Sequence, residues 1–281
     1  MAWLILFFLV PFLVVAKISL STTTIAMPPY QPMFGWSADD VLTISLDFSN
    51  FLFLLQDPLY VAAYIESVRI AAISTVVCLL IGYPMAYYIA LARQPLQSIL
   101  LLLVILPFWT SFLLRVYAWI GFMSRDGLIN GFLMNVGIIS EPITMLQTDF
   151  AVYVGIVYGY LPFMVLPLYA SLSKLDRSLL EASADLGARP FTSFLTVTLP
   201  LSVPGIIGGS MLVFIPAIGE YVIPALLGGP GTLMIGRILW DEFFLNRDWP
   251  TASAVAVAIV LLLVIPIAIL RNARRGSGEA I

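Results

Sequence analysis

The chain has no histidine, one cysteine and little charge: only 10% of its 281 residues are Asp, Glu, Lys or Arg. Without histidine it lacks the commonest general base near neutral pH and the commonest metal ligand. Cys78 has no partner for an intrachain disulfide, and its place in an apolar run makes it a small packing residue. No P-loop, G-x-S-x-G elbow or glycine-rich dinucleotide fingerprint occurs, so any ATP that serves this protein is hydrolysed by another chain. The net charge of −3 includes no concentrated basic stripe, which argues against a nucleic-acid partner. So few charges also leave too little polar surface to cover a soluble domain.

Apolar residues fill the rest, at 61%. Several runs reach the roughly 20 residues needed to cross a bilayer, and none alternates as barrel strands do. The chain reads as an all-α, multi-pass membrane protein with six transmembrane helices: about Trp3–Leu20, Val61–Ala92, Leu96–Met123, Phe150–Leu172, Leu201–Leu227 and Thr251–Leu270. Residues 1–10 hold no lysine or arginine, which favours a retained first span over a cleaved signal peptide. This gives a first helix with its external loop (1–60), a five-helix core (61–272) and a short tail (273–281). Span 2 is too long for one straight crossing, and Glu66 and Arg69 near its start are spaced to pair. Span 5 carries Pro204, Gly208, Gly209, Pro216, Gly219 and Pro224, and reads as a broken helix.

Lysine and arginine set the orientation. With both ends inside, the inner segments hold Arg93, Lys174, Arg177, Arg189, Arg271, Arg274 and Arg275, against Arg125, Arg237 and Arg247 outside. Both termini are therefore expected in the cytoplasm. The outer loops hold ten acids, among them Asp39, Asp40, Asp47, Asp57 and Asp149.

The most polar interior stretch is residues 174–200, between spans 4 and 5. Lys174, Arg177 and Arg189 mix there with Asp176, Glu181 and Asp185. Ser178-Leu-Leu-Glu181 has the form of a capping box, so a short helix is expected to start at Leu179. Gly187 is placed to end it and Pro190 to start another. Arg177, Glu181 and Asp185 share one face; Leu175, Leu179, Ala182 and Leu186 share the opposite one. Such a helix suits docking into a protein groove or lying on a lipid surface.

Only one acid lies deep in a span: Glu220, in Pro216-Ala-Ile-Gly-Glu220-Tyr221, roughly 22 Å along span 5 from Gly205. A charge at that depth marks a pathway more often than not. The alternatives are a pair with Arg115 or a cap on a broken helix. Trp109, near mid-span, and Tyr221, beside Glu220, add aromatic faces that suit an organic cation. Tyr117 lies nearer the outer interface. No metal site and no catalytic group emerges.

Glu181-Ala182-Ser183, three residues, Gly187, nine residues, then Val197-Thr198-Leu199-Pro200 resembles the EAA signature of binding-protein-dependent ABC importer permeases; Ser183 and Val197 depart mildly from its pattern. The segments LLLVILPFWTSFLLRVYAWIG, YVGIVYGYLPFMVLPLY, GSMLVFIPAIGEYVIPALLGGPGTLMIGRILWDEFF and NRDWPTASAVA extend the likeness from Trp3 to about Arg271. They are similar to the spermidine/putrescine importer permeases, most of all the putrescine-system subunit that pairs with a second, different permease. The resemblance implies the type I importer permease fold in a bacterial inner membrane. It implies a loop (Glu181, Ala182, Ser183, Asp185, Leu186, Gly187, Arg189, Pro200) whose coupling helix docks on the ATPase. It also implies a homologous second permease, an ATPase dimer holding ATP–Mg, and a periplasmic polyamine-binding protein. Other small solutes remain open as cargo. An ion-driven transporter needs more intramembrane ligands than one acid, and an intramembrane enzyme needs an acid pair or a serine–lysine pair.

Overall fold

The structure is a computed structural model that describes residues 3, 5–36 and 42–276. Asp39 and Asp40, and the side chains of Arg177, Arg271, Arg274 and Arg275, fall outside it. The chain forms two compact units: Met1–Glu66 with Leu233–Ile281, and Ser67–Thr232.

In the first unit, helix α1 (Ile5–Ser19) packs on the last helix, and a two-stranded antiparallel ribbon follows, with β1 (Phe34–Trp36) paired to β2 (Leu42–Ile44). Helix α2 (Ser49–Gln56) is tied back to the end of α1 by the buried Asn50 amide, which donates to the carbonyls of Ser19 and Ser21 at 3.0 and 2.9 Å. Helix α3 (Pro58–Leu91) starts in this unit and continues into the other. At 34 residues it is about 51 Å long, well beyond the roughly 30 Å of bilayer hydrocarbon, as its length in the sequence requires.

The second unit carries every candidate site residue. Helix α4 (Leu96–Ile105) ends in a tight turn, Leu106–Trp109, and α5 (Phe112–Met123) leaves at a sharp angle; the two limbs Leu96–Trp109 and Phe112–Asn135 meet at 91°. Span 3 is thus bent where the sequence reading drew one continuous run. Pro107 sits in that turn, and Thr110 is extended, so the helical hydrogen-bond ladder stops there. Short helix α6 (Leu128–Asn135) follows.

Helix α7 (Asp149–Leu172) opens with a Thr148 side-chain cap on the Ala151 N–H. Asp149 in its first turn suits the positive end of the helix, and its carboxylate also accepts from Arg69 at 2.9 Å and from the Thr232 hydroxyl at 2.6 Å. Arg69 therefore meets a partner eighty residues away.

The loop helices α8 (Arg177–Asp185) and α9 (Pro190–Ser193) lead through a wide π turn, Phe194–Thr198, into α10 (Leu199–Ile218). Helix α10 runs unbroken through Pro204, Gly205, Gly208, Gly209 and Pro216, so the break expected in span 5 falls at one place only. Its glycines pack instead: Gly205 meets Ser171 and Pro167, and Gly209 meets Met164, all on α7. Glycines four apart on one face let two backbones approach closely, which is how helices associate in lipid. The single real break is Gly219–Tyr221, before α11 (Val222–Leu227). The core between α3, α7 and α10 holds Cys78, Ala86, Met164, Leu168 and Val213, all fully buried. Cys78 packs there as the sequence suggested.

In the first unit, α12 (Ile235–Trp240) and α13 (Trp249–Gly276) are the last helices of the described residues. Three helices in the described residues have the length and apolarity to cross a membrane: Pro58–Leu91, Asp149–Leu172 and Pro190–Ile218; the bent pair in span 3 makes up to four. Ile5–Ser19 and Trp249–Val264 are shorter apolar helices.

Candidate functional site

The polar loop forms a self-contained unit. Asp176, extended at ψ 121°, caps α8, its carboxylate accepting from the Ser178 N–H at 3.0 Å. The helix therefore starts at Arg177, and Ser178 is its second residue, not its cap. Leu175, just before the cap and outside any helix, packs against the apolar core. The Ser178 N–H, and then its hydroxyl, hold the Asp176 carboxyl below its ordinary range. A depressed carboxyl stabilises the fold above its unfolded value, and the contribution is lost as pH falls through the lowered folded one. Wild-type α8 is thus expected to keep its amide protection at neutral and mildly acidic pH, while Asp176→Ala loses it at all pH. Hydrogen exchange across Arg177–Asp185, corrected for intrinsic rates, measures this; identical exchange in both proteins would remove the cap.

Gly187 ends α8 as expected, at φ 82°. The Gly187 N–H reaches the Ala184 carbonyl at 2.9 Å and the Ala188 N–H reaches the Ser183 carbonyl at 3.1 Å, the two bonds of a Schellman motif. Pro190 opens α9, with Arg189 before it. The hydroxyl of Ser193 donates to that of Ser183 at 2.7 Å and bolts α9 to α8. The serine at 183, the departure from the signature, supplies half of this bond.

Glu181, Ala182, Asp185, Leu186, Gly187 and Arg189 are exposed. Leu186 is 89% exposed and Phe191 72%, so the loop presents two large apolar side chains that nothing among the described residues covers. Phe191 was not singled out by periodicity, because it belongs to the second short helix. Behind the loop, Phe194 meets the rings of Tyr83 and Tyr87 on α3 edge-on, at 5.6 and 6.1 Å. The Leu199 N–H reaches back five residues to the Phe194 carbonyl, which makes the turn a π turn. The buried Thr198 hydroxyl in that turn has no hydrogen-bond partner. Pro200 lies in the first turn of α10.

The deep candidates sit at the two helix breaks. Glu220, only 8% exposed, lies in the break after α10. Its Oε1 accepts from the N–H groups of Val222 and Ile223 at 3.1 and 3.3 Å, capping α11. Its Oε2 accepts from the Tyr160 hydroxyl at 2.5 Å. Tyr221 follows directly and is half-buried. Trp109 stands at the bend of span 3 and Tyr117 on α5; both are exposed, at 76% and 55%. Arg115 lies under the rings of Phe108 and Phe112, at 5.4 and 5.6 Å. Its Nε is buried without a hydrogen-bond partner. Sequence reasoning missed Tyr160, since it stands among the span 4 tyrosines with nothing in its spacing to single it out.

The family model for the binding-protein-dependent transport system inner membrane component matches residues 78–275. The chain belongs to this family. Permease relatives agree over nearly the whole length. The spermidine/putrescine transport system permease protein PotB of Haemophilus influenzae is 39% identical over 274 residues, covering 98% of this chain and 91% of its own. PotB of Escherichia coli K12 is 38% identical over 263 residues, covering 93% and 90%. A crystal structure of a bacterial alginate ABC transporter with its alginate-bound periplasmic protein superposes at a TM-score of 0.70, with 16% identity, covering 99% of this permease and 92% of that chain. That likeness shows the fold, the helical one of ABC importer permeases; this chain also carries the short β1–β2 ribbon.

Proposed function

We propose that this chain is the transmembrane permease subunit of an ATP-driven polyamine importer, taking up putrescine or spermidine. The observation that carries the reading is the 39% identity to a spermidine/putrescine permease across 98% of this chain. The six apolar segments would be its six spans, with the bent pair of span 3 counted once and both termini in the cytoplasm, as the lysine and arginine distribution favours. The chain forms half of a path completed by a homologous second permease. The ATPase is a separate dimer that holds ATP–Mg, and a periplasmic binding protein delivers the amine. The exposed α8, with Glu181, Leu186 and the neighbouring Phe191, is the coupling helix that receives ATPase closure. Glu220, Tyr221, Trp109 and Tyr117 line the path. The pairing of a buried carboxylate with aromatic faces at two helix breaks supports this, because an alkyl ammonium gains charge pairing and cation–π contact there.

The test is putrescine and spermidine uptake in cells lacking this chain, with companion permease, ATPase and binding protein present. Restoring the chain is expected to restore uptake of at least one amine. Uptake that is the same without it would remove the polyamine and leave another small solute as cargo.

A further inference from the structure

The carboxylate of Glu220 is satisfied without any substrate. Oε1 serves two otherwise unpaired N–H groups in the first turn of α11, and Oε2 serves the Tyr160 hydroxyl. These bonds differ in kind. The N–H bonds hold up the helix, and nothing else in the described residues caps it. The Tyr160 bond crosses from α7 to the break and supports no backbone element. It keeps Oε2 from being left unpaired in an apolar site, which is costly for a carboxylate.

A tyrosine O–H and an alkyl ammonium offer the same thing to an oxygen: one N–H or O–H donated along a lone pair. Both bonds end on the carboxylate and are charge-assisted, but the ammonium adds a full positive charge of its own. Exchange at Oε2 leaves Oε1 on α11 throughout, so the cap survives as substrate comes and goes. The Tyr160 ring continues toward the other break: it lies 6.0 Å from Phe163, which meets Phe108 edge-on at 5.1 Å, and Phe108 belongs to the turn at the bend of span 3 beside Trp109.

We propose that Tyr160 is a placeholder for the substrate's ammonium on Glu220, and that its hydroxyl sets how tightly the path holds a primary amine. The inference rests on the reading of Glu220 as part of an amine path. Its chemistry is reversible donor exchange, with no bond made or broken beyond hydrogen bonds.

The experiment is equilibrium binding of radiolabelled putrescine to the purified, assembled transporter without its binding protein, so that the path's own affinity is read. Tyr160→Phe removes the competing donor and keeps the ring. It is expected to bind putrescine more tightly by about tenfold or more, the worth of one hydrogen bond to a charged group. Glu220→Gln is expected to abolish that binding in either background. Equal or weaker binding by Tyr160→Phe, with Glu220→Gln still defective, overturns the placeholder and leaves the path. Wild-type binding by Glu220→Gln overturns the amine path itself. If Tyr160→Phe does not assemble, the infrared difference spectrum of the wild-type complex on adding putrescine decides: a shifted tyrosine C–O band is expected, and its absence overturns the proposal.

Discussion

Permease carrying Gly209→Leu is expected not to accumulate in the membrane. A Cβ at residue 209 would lie 2.8 Å from Met164 Sδ, 3.0 Å from the Met164 carbonyl oxygen and 3.3 Å from Met164 Cα. The sulfur can move; the backbone of α7 cannot move without separating the two helices that hold the core. Gly205, one turn earlier on the same face, meets Ser171 and the Pro167 carbonyl in the same way. Overpacking a core commonly costs about 1–3 kcal/mol, and here the leucine opposes backbone, so the upper end or beyond applies. Gly208→Leu is the matched control. Its Cβ would meet only Pro167 Cβ at 3.8 Å, an ordinary contact. The yield of monodisperse protein after detergent extraction is the measurement. Equal yields of the two variants would mean that α7 and α10 do not pack through Gly209.

Charge reversal and polar substitution on the loop should act in the opposite way, leaving the fold and removing the function. Glu181→Lys and Leu186→Asp touch side chains that this chain leaves exposed. Both variants are expected to accumulate normally and to lose transport. An apolar anchor seated in a partner's groove typically contributes 2 kcal/mol or more, so Leu186→Asp should weaken ATPase association by about 30-fold or more. Glu181→Lys should show a smaller loss that depends on salt, since a rim charge mainly steers docking. Copurification of the ATPase, with uptake measured in parallel, reads both. A stoichiometric, transporting complex with Leu186→Asp would remove α8 as the docking element.

The loop was largely legible because its signals are local. Gly187 needs a positive φ and Pro190 a first-turn position, and both are fixed by neighbours within four residues. Local signals misled only at the cap, where Asp176 and Ser178 are both good cap residues by type and the structure uses Asp176. The spans were legible as apolar lengths but not in their interiors. A glycine that breaks a helix and one that lets a helix approach its neighbour look alike in sequence; Gly209 differs from Gly219 only because Met164, forty-five residues earlier, faces it. The same holds for Glu220. Its depth marked it, but one of its partners, Tyr160, lies sixty residues away on α7, beyond any local pattern.

The π turn at Phe194–Thr198 gives the spacing of the loop a further meaning. Because the Leu199 N–H closes on a carbonyl five residues back, the turn holds one residue more than the α-helix that follows. Losing a residue there would close the turn into ordinary α-helix with α9 and α10 still nearly in phase, because a π turn takes up one extra residue within a single turn. The interval between Gly187 and Pro200 therefore carries one residue of slack. A single deletion in this turn is absorbed in place, whereas one in the first turn of α10 would swing the face that carries Gly205 and Gly209 by about 100° against α8.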